Sequence, residues 1–350
     1  MLANPSPPLF DHRSMNPIEP EAPLFSIHDC NLADASLGAE VLTVSDEFFA
    51  PCARMLDPAP PRFESARYDQ HGKWMDGWET RRRRDDGHDW CVIRLAYAGT
   101  ITGLELDTRF FTGNAPSCAA LDATFLPAGT EPDDRTVWRP LLDLVTLQSD
   151  TRFWAEPKTP QLCTHVRLRI YPDGGIARLR AYGIACLLEA DETESRDLLA
   201  LASGGRALAW SDAHYGLPHK LLRPGRAGNM GDGWETRRRR APGHDWCILA
   251  LGRPGLISRI DVDTAHFKGN HPASCSLQAT FLKDAPATDI IVPQSLFWEV
   301  LLPEQPLSAD TLHSFSALPA IGPISHIRFN IFPDGGVSRL RAYGIMAAHG

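Results

Sequence analysis

Apolar and polar residues alternate along several short stretches of the chain. Val166, Leu168 and Ile170 are separated by arginines, and residues 327–331 show the same alternation. A period of two residues is typical of half-buried antiparallel strands. Each stretch is followed by Pro-Asp-Gly-Gly, which predicts a tight turn with a glycine at positive φ. Many short strands between Gly- and Pro-containing turns, with little helix, predict an all-β fold, a β-sandwich.

The alternating stretches occur twice because the sequence contains an internal repeat. Residues 76–91 (DGWETRRRRDDGHDWC) return 156 positions later as DGWETRRRRAPGHDWC, with 14 of 16 residues identical. Further along, residues 104–116 match residues 260–272, and residues 165–184 match residues 326–345. Each unit is about 150 to 165 residues long, which is the size of a domain rather than of a solenoid repeat.

The repeat predicts two tandem β-sandwich domains and two other segments. We place the first domain at residues 21–187 and the second at residues 201–350. The stretch between them, residues 188–200, is acidic, polar and helix-prone, so we expect a short helical linker. Residues 1–20 are rich in proline and lack the features of a secretory signal, so we expect a disordered arm and a cytoplasmic protein.

Composition argues against several classes of protein. No apolar run approaches the roughly 18 residues of a membrane span, and the net charge of -8 argues against a nucleic-acid partner. The eight cysteines include no C-x-x-C pair, and several lie in apolar strand-like stretches. We therefore expect reduced core thiols rather than disulfides or zinc ligands.

Four sequence blocks that occur in both copies contain more polar residues than a sandwich needs. The first, Asp-Gly-Trp-Glu-Thr-Arg, contributes Glu79 and Glu235 as candidates for proton transfer. The arginine runs that follow, residues 81–84 and 237–240, precede an apolar strand, and we expect them to be parts of strands. Their guanidinium groups either bind a carboxylate or ureido oxygen or form ion pairs with acidic neighbours.

The second block, Gly-His-Asp-Trp, places a histidine next to a carboxylate just before a core strand. His88 with Asp89, and His244 with Asp245 in the second copy, are suited to proton transfer near neutral pH. The alternative is a turn in which the two side chains cap strand ends. This spacing alone offers too few ligands for a metal site.

The third block contains Asp107 and Asn114, matched by Asp263 and Asn270. An asparagine amide has both donors and an acceptor and can orient an amide-like ligand. The second copy carries basic residues in this block that the first copy lacks: His266, Lys268 and His271. Because the two loops differ in charge, we expect one of the two sites to be better formed.

The fourth block places two arginines two residues apart on one strand face. Arg178 and Arg180, matched by Arg339 and Arg341, follow the Pro-Asp-Gly-Gly turn. Such a pair can clamp a carboxylate, or it can pair with nearby aspartates in a structural role.

Together the four blocks resemble the allantoicase family, from about residue 25 to residue 346. The resemblance implies two tandem jelly-roll β-sandwiches similar to galactose-binding modules. It also implies a hydrolase of carbon–nitrogen bonds in linear amidines, which splits allantoate into ureidoglycolate and urea in purine (allantoin) degradation. We expect no organic cofactor. A manganese requirement is conceivable, although no set of residues here predicts a metal cage.

Cleavage of one C–N bond in allantoate requires a carboxylate clamp, a ureido-binding group and proton transfer. We therefore expect several of five side chains in each copy to line one concave pocket: Glu79, His88, Asp107, Asn114 and Arg180, or Glu235, His244, Asp263, Asn270 and Arg341. The catalytic candidates are Glu79, His88, Asp89, Asp107, Glu235, His244, Asp245 and Asp263. The substrate-binding candidates are Asn114, Arg178, Arg180, Asn270, Arg339 and Arg341.

Two other functions fit the same residues. A tandem jelly roll can bind carbohydrate or another small ligand without catalysis, and a hydrolase of a different ureido compound would share the motifs. Release of urea from allantoate separates these alternatives. We expect allantoate as the small-molecule partner and a homo-oligomeric protein.

Overall fold

The computed structural model describes residues 22–188, 193–283 and 286–347. Nearly all of its regular structure is β, in two similar halves. The strands of the first half are β1 (Cys30–Asn31), β2 (Glu40–Val44), β3 (Tyr68–Asp69), β4 (Gly72–Lys73), β5 (Trp78–Glu79), β6 (Asp89–Asp107), β7 (Cys118–Thr124), β8 (Arg139–Thr146), β9 (Arg152–Ala155), β10 (Leu162–Tyr171), β11 (Gly175–Ile176) and β12 (Arg178–Ala185).

The second half repeats this order, without a counterpart of the β3–β4 hairpin. Its strands are β13 (Arg196–Asp197), β14 (Arg206–Trp210), β15 (Trp234–Glu235), β16 (Asp245–Asp263), β17 (Ser274–Thr280), β18 (Glu299–Pro306), β19 (Leu312–Phe315), β20 (Ile324–Phe332), β21 (Gly336–Val337) and β22 (Arg339–Met346). The described helices are short: α1 (Phe25–His28), α2 (Thr288–Gln294) and 3-10 helices at Ala35–Leu37, Cys52–Leu56, Leu201–Ser203, Pro218–Leu222, Met230–Asp232 and Ser295–Phe297. None of these helices is long and apolar enough to cross a membrane.

Each half is a two-layer sandwich whose layers share one long strand. Residues 89–94 of β6 pair with β2 and β10, and β10 continues through β7 to β8. Residues 99–107 of β6 pair with β12 and β9, and β12 pairs with β1. All of these pairs are antiparallel, and β16 has the same role in the second half. The predicted all-β architecture of two tandem jelly-roll sandwiches is confirmed.

The inner faces of the two layers form one hydrophobic core in each half. Cys91, Ile93 and Leu95 of β6 point into the first core as the alternation predicts, and their three counterparts in β16 point into the second. Five of the eight cysteines are buried, namely Cys52, Cys91, Cys163, Cys247 and Cys275, whereas Cys186 is exposed. Burial of apolar side chains from both layers is the main contribution to the stability of each half.

The Pro-Asp-Gly-Gly turns have the predicted backbone conformation. Gly174 has a φ of 137° and Gly335 a φ of 132°, a region that favours glycine. The next residue, Gly175, touches the Phe111 ring so closely that a Cβ atom there would lie 2.0 Å from ring carbons. Its N–H donates to the backbone carbonyl of Asn114 at 2.8 Å. The turn therefore holds the loop that carries Asn114.

Two predictions about local structure are wrong. In the described part of the expected linker helix, residues 193–200, the chain forms turns and strand β13, which pairs with β22. The second sandwich thus begins before residue 201, because β13 is part of its sheet and the Asp197 side chain accepts from the backbone N–H of Ala342 in β22. The arginine runs after β5 and β15 are not strands either. Residues 189–192 and the expected disordered arm, residues 1–20, lie outside the described residues.

The arginine runs leave the sheet because their side chains and backbone N–H groups bind acidic groups on loops. The N–H of Arg81 donates to the Asp46 carboxylate at 2.7 Å, and that of Arg83 donates to Asp173 at 2.8 Å. These bonds replace ladder bonds that a neighbouring strand would have supplied.

The two halves contact each other through the N-terminal segment of the first. The ring of His28 lies 5.2 Å from that of Trp210, and its Nδ1 is 3.2 Å from the carbonyl oxygen of Ala207. Arg223 reaches back to Asp34, with a nitrogen–oxygen distance of 3.7 Å. The second sandwich is therefore in direct contact with the first.

The contact at Gly175 gives a stability prediction. We expect Gly175→Ala to lower the free energy of unfolding by about 2 kcal/mol or more, since the added methyl overlaps the buried Phe111 ring. Denaturant unfolding followed by fluorescence measures this. Gly113→Ala is the matched control, because nothing lies within 4 Å of a Cβ there. Equal stabilities of the two variants would contradict the assigned packing.

Candidate active site

Three of the repeated blocks meet at one end of the first sandwich. Strand β5 pairs with β11, so that Glu79 lies opposite Gly175. The N–H of Thr80 donates to the carbonyl of Gly174 at 3.1 Å, and its hydroxyl accepts from the N–H of Gly174 at 3.0 Å. The first and fourth blocks are therefore bound to each other by backbone and side-chain bonds, with the third block bound to the same turn.

Glu79 and Asn114 form a direct pair in this loop cluster. The amide Nδ2 of Asn114 donates to Oε1 of Glu79 at 2.5 Å. Burial raises the pKa of Glu79, and the hydrogen bond from Asn114 partly offsets that rise. A carboxyl with a raised pKa is suited to exchanging protons near neutral pH. Oε2 of Glu79 and the side-chain carbonyl oxygen Oδ1 of Asn114 are not used in this hydrogen bond and can bind a ligand.

This pair lines a cavity of about 490 Å³. The β3–β4 hairpin contributes one wall with His71 and Lys73. The apolar part of the lining consists of Phe49, Phe63, Met75 and Phe110, and the remaining polar part consists of Thr112 and Asp150. The volume suits a small molecule, and the lining combines apolar side chains with a few polar groups, as ligand sites commonly do.

The hairpin is held in place by a buried tryptophan. Trp74 is 5% exposed, and the guanidinium of Arg67 lies 4.0 Å from its ring centroid. Arg54 donates to the carbonyl of Met75 at 3.0 Å. At the rim, the ammonium of Lys73 lies 4.3 Å above the Phe63 ring, a cation–π contact. The wall is thus anchored to the sandwich behind it.

The second sandwich has the same acid–amide pair without this wall. Nδ2 of Asn270 donates to Oε1 of Glu235 at 2.6 Å. Residues 60–75 of the first copy, sixteen residues, correspond to only six in the second, residues 226–231. This shorter segment leads into the 3-10 helix that begins at Met230. The difference in length explains why the β3–β4 wall is present only in the first of the two described copies.

The histidines of the second block lie elsewhere. His88 lines a different cavity, of about 770 Å³, with Arg167 and Arg169, and its ring stacks on Tyr171 at 4.7 Å. Burial holds the pKa of His88 below its usual value, and the arginines add to the effect. In the second copy, Nε2 of His244 lies 3.1 Å from Oδ1 of Asn330.

The adjacent aspartates are buried and hydrogen-bonded. Asp89 is 1% exposed, and its Oδ1 accepts from Ser45 and Arg83, both at 2.9 Å. Asp245 accepts in the same way from Ser211 at 2.9 Å and Arg239 at 3.2 Å. These bonds attach the arginine runs to the start of the long strands.

Asp107 and Asp263 also lie outside the cavity of Glu79. Asp107 is fully buried and binds the Arg109 guanidinium, with a shortest distance of 2.7 Å. Asp263 is 6% exposed, and its nearest guanidinium, that of Arg226, lies 3.8 Å away. The two copies differ here because residue 109 is arginine and its counterpart, residue 265, is alanine.

The arginine pairs bind protein carbonyls. Arg178, 1% exposed, donates to the carbonyl of Ala59 at 2.8 Å and to both the carbonyl and carboxylate of Asp76 at 2.9 Å. These two residues flank the segment that contains the hairpin, so Arg178 ties its ends together. Arg180 donates to the carbonyls of Pro58 and Ala59 at 3.1 and 3.3 Å.

Arg339 and Arg341 repeat this arrangement. Arg339 binds the carboxylate of Asp232 at 2.7 Å and the carbonyl of Gly225 at 3.3 Å. Arg341 donates to the carbonyls of Gly225 at 3.0 Å and Leu221 at 3.3 Å. In both copies the arginine pair therefore holds the loop that precedes the first block.

The structure does not bring all five side chains of a copy to one cavity. The structure brings together Glu79 with Asn114, and Glu235 with Asn270. His88, Asp107 and Arg180 are separated from the first pair, as are their counterparts from the second: His244, Asp263 and Arg341. The physical reason is that the arginines donate to carboxylates and backbone carbonyls of the protein, and the two histidine rings pack against the residue before each turn, Tyr171 and Phe332.

Sequence reasoning missed the residues of the hairpin. His71 and Lys73 belong to a segment found only in the first copy, whereas the candidates were chosen because both copies share them. The unequal spacing between Ser45 and Asp76, and between Ser211 and Asp232, is the signal that locates this insertion. Within residues 22–188, 193–283 and 286–347, no cluster of three or more His, Cys, Asp or Glu residues has a geometry for a metal ion.

Comparison with known proteins agrees with this architecture. A family model described as Allantoicase repeat matches residues 30–186 and 196–347. A protein named "Probable allantoicase 2" from Burkholderia pseudomallei (strain K96243) is 52% identical over 334 residues, covering 94% of this chain and 98% of the relative. "Probable allantoicase" from Pseudomonas paraeruginosa is 54% identical over 320 residues, covering 91% and 96%. The crystal structure of allantoicase from Saccharomyces cerevisiae is similar with a TM-score of 0.76 at 33% identity, covering 90% of this chain and 92% of that one.

The fold and the site place this protein in the class of tandem jelly-roll proteins, with a cavity among the loops of the first sandwich that contains Glu79 and Asn114. Both matched segments together span nearly all the described residues. The chain belongs to the allantoicase family.

The bonds of Arg178 give a second prediction. We expect Arg178→Met to lower the free energy of unfolding by about 3 kcal/mol, since it removes a buried guanidinium that donates to the Asp76 carboxylate and to the carbonyls of Ala59, Asp76 and Ala177. Arg82→Met, at an exposed arginine, is expected to change it by less than about 0.5 kcal/mol. Denaturant unfolding compares both with the parent. A stable Arg178→Met protein would show that the arginine is not structural.

Proposed function

We propose that this protein is an allantoicase that hydrolyses allantoate to ureidoglycolate and urea, in the breakdown of purines through allantoin, at the cavity of the first sandwich. The observation that carries this assignment is the bonded pair of Glu79 and Asn114 at a walled cavity. Family membership supports the choice of substrate, because the relatives named above are described as allantoicases.

The cavity offers a complementary group for each part of the substrate. Allantoate is a carboxylate whose α-carbon carries two ureido groups. Lys73 and His71 on the hairpin supply positive charge or N–H donors for the carboxylate. The side-chain carbonyl oxygen Oδ1 of Asn114 accepts from a ureido N–H, and the phenylalanine rings exclude water around the α-carbon.

Glu79 is assigned the proton transfers. As a carboxylate it takes a proton from water while the water oxygen bonds to the α-carbon of allantoate. The C–N bond to one ureido group breaks, and the protonated Glu79 delivers its proton to the departing nitrogen, which leaves as urea. One water is consumed and Glu79 returns to its starting form. A raised pKa favours both roles because the proton is neither too tightly nor too loosely held.

This assignment replaces part of the hypothesis drawn from sequence. Arg178 and Arg180 become positioning residues, because their donors hold the loop before the hairpin. His88 and Asp89 are not required, since they lie away from the Glu79 cavity. Glu235 and Asn270 are the structural counterparts of the working pair.

Four further properties are part of this proposal. The steps above use only side chains and water, so we propose that no organic cofactor is needed. An assay of urea release after EDTA treatment, with and without added Mn²⁺, decides the metal requirement.

Eight free thiols support a reducing, cytoplasmic location. The negative net charge supports the absence of a nucleic-acid partner. Large exposed apolar side chains such as Phe297, which is 88% exposed, support a homo-oligomer.

The two copies provide a matched test of the site. We expect Glu79→Gln to lower the rate of urea release from allantoate by a factor of about 100 to 10,000, because proton transfer is lost while the bond to Asn114 is kept. Glu235→Gln makes the same change in the copy without the hairpin, and we expect it to retain most of the activity. The measurement is urea and ureidoglycolate formed in equal amounts by purified protein.

Three results would overturn the proposal. If Glu235→Gln is inactive and Glu79→Gln is active, the second sandwich holds the site. If His88→Asn is inactive while folded, the larger arginine-lined cavity is the place of reaction. Tight binding of a sugar without urea release would instead support a binding protein.

Burial of Glu79 also predicts how stability depends on pH. Because the pKa of Glu79 is raised in the folded protein, its contribution to stability is complete below the unfolded pKa and is lost as pH rises through the folded value. Gln cannot ionise, so we expect Glu79→Gln to be more stable than the parent at pH 7 and to approach it at pH 4. Thermal unfolding across this range tests the sign. A difference that grows toward low pH would contradict it.

A further inference from the structure

A second polar cavity, of about 290 Å³, lies in the second sandwich beside strands β16 and β22, away from the Glu235–Asn270 pair. Its lining contains two carboxylates, Asp261 and Asp263, and one tyrosine ring, that of Tyr343. The rest of the lining is formed by Gly225, Arg226, Leu312, Arg339 and Arg341. No step of the proposed reaction uses this cavity.

In the first sandwich the corresponding carboxylates hold arginine side chains. Nε of Arg109 donates to Oδ1 and Oδ2 of Asp107 at 3.1 and 3.0 Å, and its terminal Nη2 donates to Oδ2 at 2.7 Å. One edge of the guanidinium group thus contacts both carboxylate oxygens. Glu105 binds Nε of Arg152 at 2.9 Å. The space next to these buried carboxylates is therefore occupied by the chain's own guanidinium groups.

Both arginines are missing from the second sandwich. Ala265 stands at the position of Arg109, and Leu312 pairs with Asp263 where Arg152 pairs with Asp107. The loop itself is unchanged, because the N–H of residue 265 donates to Oδ1 of Asp263 at 2.9 Å just as that of residue 109 donates to Asp107. The cavity of about 290 Å³ lies where these two side chains are absent, and its volume is sufficient to admit a small cation.

The carboxylates in this cavity are incompletely satisfied. Asp263 is 94% buried, yet Oδ2 has only the ion pair with Arg226 at 3.8 Å, and Arg226 is 66% exposed. Oδ1 of Asp261 is buried without a hydrogen-bond partner, although Arg259 lies at 3.1 Å. Arg339 donates to the Asp232 carboxylate and the Gly225 carbonyl, and Arg341 donates to the Gly225 carbonyl. A buried carboxylate oxygen without a donor is costly unless something binds it.

We propose that this cavity binds a small planar cation of the guanidinium or amidinium class. One N–H edge of the ligand takes the place of the Arg109 guanidinium and donates to both oxygens of Asp263, in the geometry that guanidinium and carboxylate share. Asp261 accepts from a remaining N–H. This site is independent of the proposed hydrolysis and differs from the Glu79 cavity in charge and in lining.

The first sandwich supplies the reciprocal experiment. Ala265→Arg restores the internal ion pair in the second copy and is expected to fill the site, and Arg109→Ala opens the corresponding site in the first copy. Methylguanidinium is the probe, with binding measured by isothermal titration calorimetry at low ionic strength. We expect one site in the parent, with a Kd of about 1 mM or below, binding at least tenfold weaker in Ala265→Arg, and two sites in Arg109→Ala.

The controls separate a shaped site from general attraction of cations. Methylurea, a neutral molecule of similar shape, and potassium ion are each expected to bind at least tenfold more weakly than methylguanidinium. Arg226→Ala is expected to strengthen binding several-fold, since it removes the competing cation. If Ala265→Arg fails to fold, Asp263→Asn replaces it with the same expected loss. Absence of binding to the parent, or equal binding to the parent and folded Ala265→Arg or Asp263→Asn, would overturn the inference.

Discussion

The contact between the Pro-Asp-Gly-Gly turn and the Phe111 loop determines where the polar groups of the site lie. Only glycine at position 175 allows this close approach. The same turn pairs with β5 through Gly175 and Glu79, and the N–H of Gly175 holds the carbonyl of Asn114. A carboxylate and an amide that are 35 residues apart in sequence therefore meet at 2.5 Å because each is bonded to one turn. The second sandwich keeps the arrangement through Gly336 and Phe267.

Much of this architecture is readable from the sequence. The alternation in residues 165–171 and the turn signature after it determine strand β10 and the bend that follows, because period and turn chemistry are local properties. The repeat gives the number of sandwiches. The failure at residues 193–200 is instructive, since an acidic and polar segment was expected to be helical, yet backbone pairing with β22 outweighed its propensity.

The site was only partly predictable for a different reason. Residues that are identical in the two copies include residues that stabilise the fold as well as residues that contact a ligand, and identity alone does not distinguish them. Arg178 is retained because it joins the ends of a loop, and Asp89 because it anchors an arginine run. The wall with His71 and Lys73 is present in one copy only, so agreement between the copies could not reveal it. The distances between side chains distinguish the repeated residues that are structural from those that line the cavity.

The long strand that both layers share has a mechanical consequence for each sandwich. Residues 89–94 and 99–107 of β6 belong to opposite layers but to one continuous segment, so the layers cannot part without breaking hydrogen bonds along that strand. Partial opening of one layer would expose the inner face of the other. Each half should therefore unfold as a single cooperative unit rather than one layer at a time.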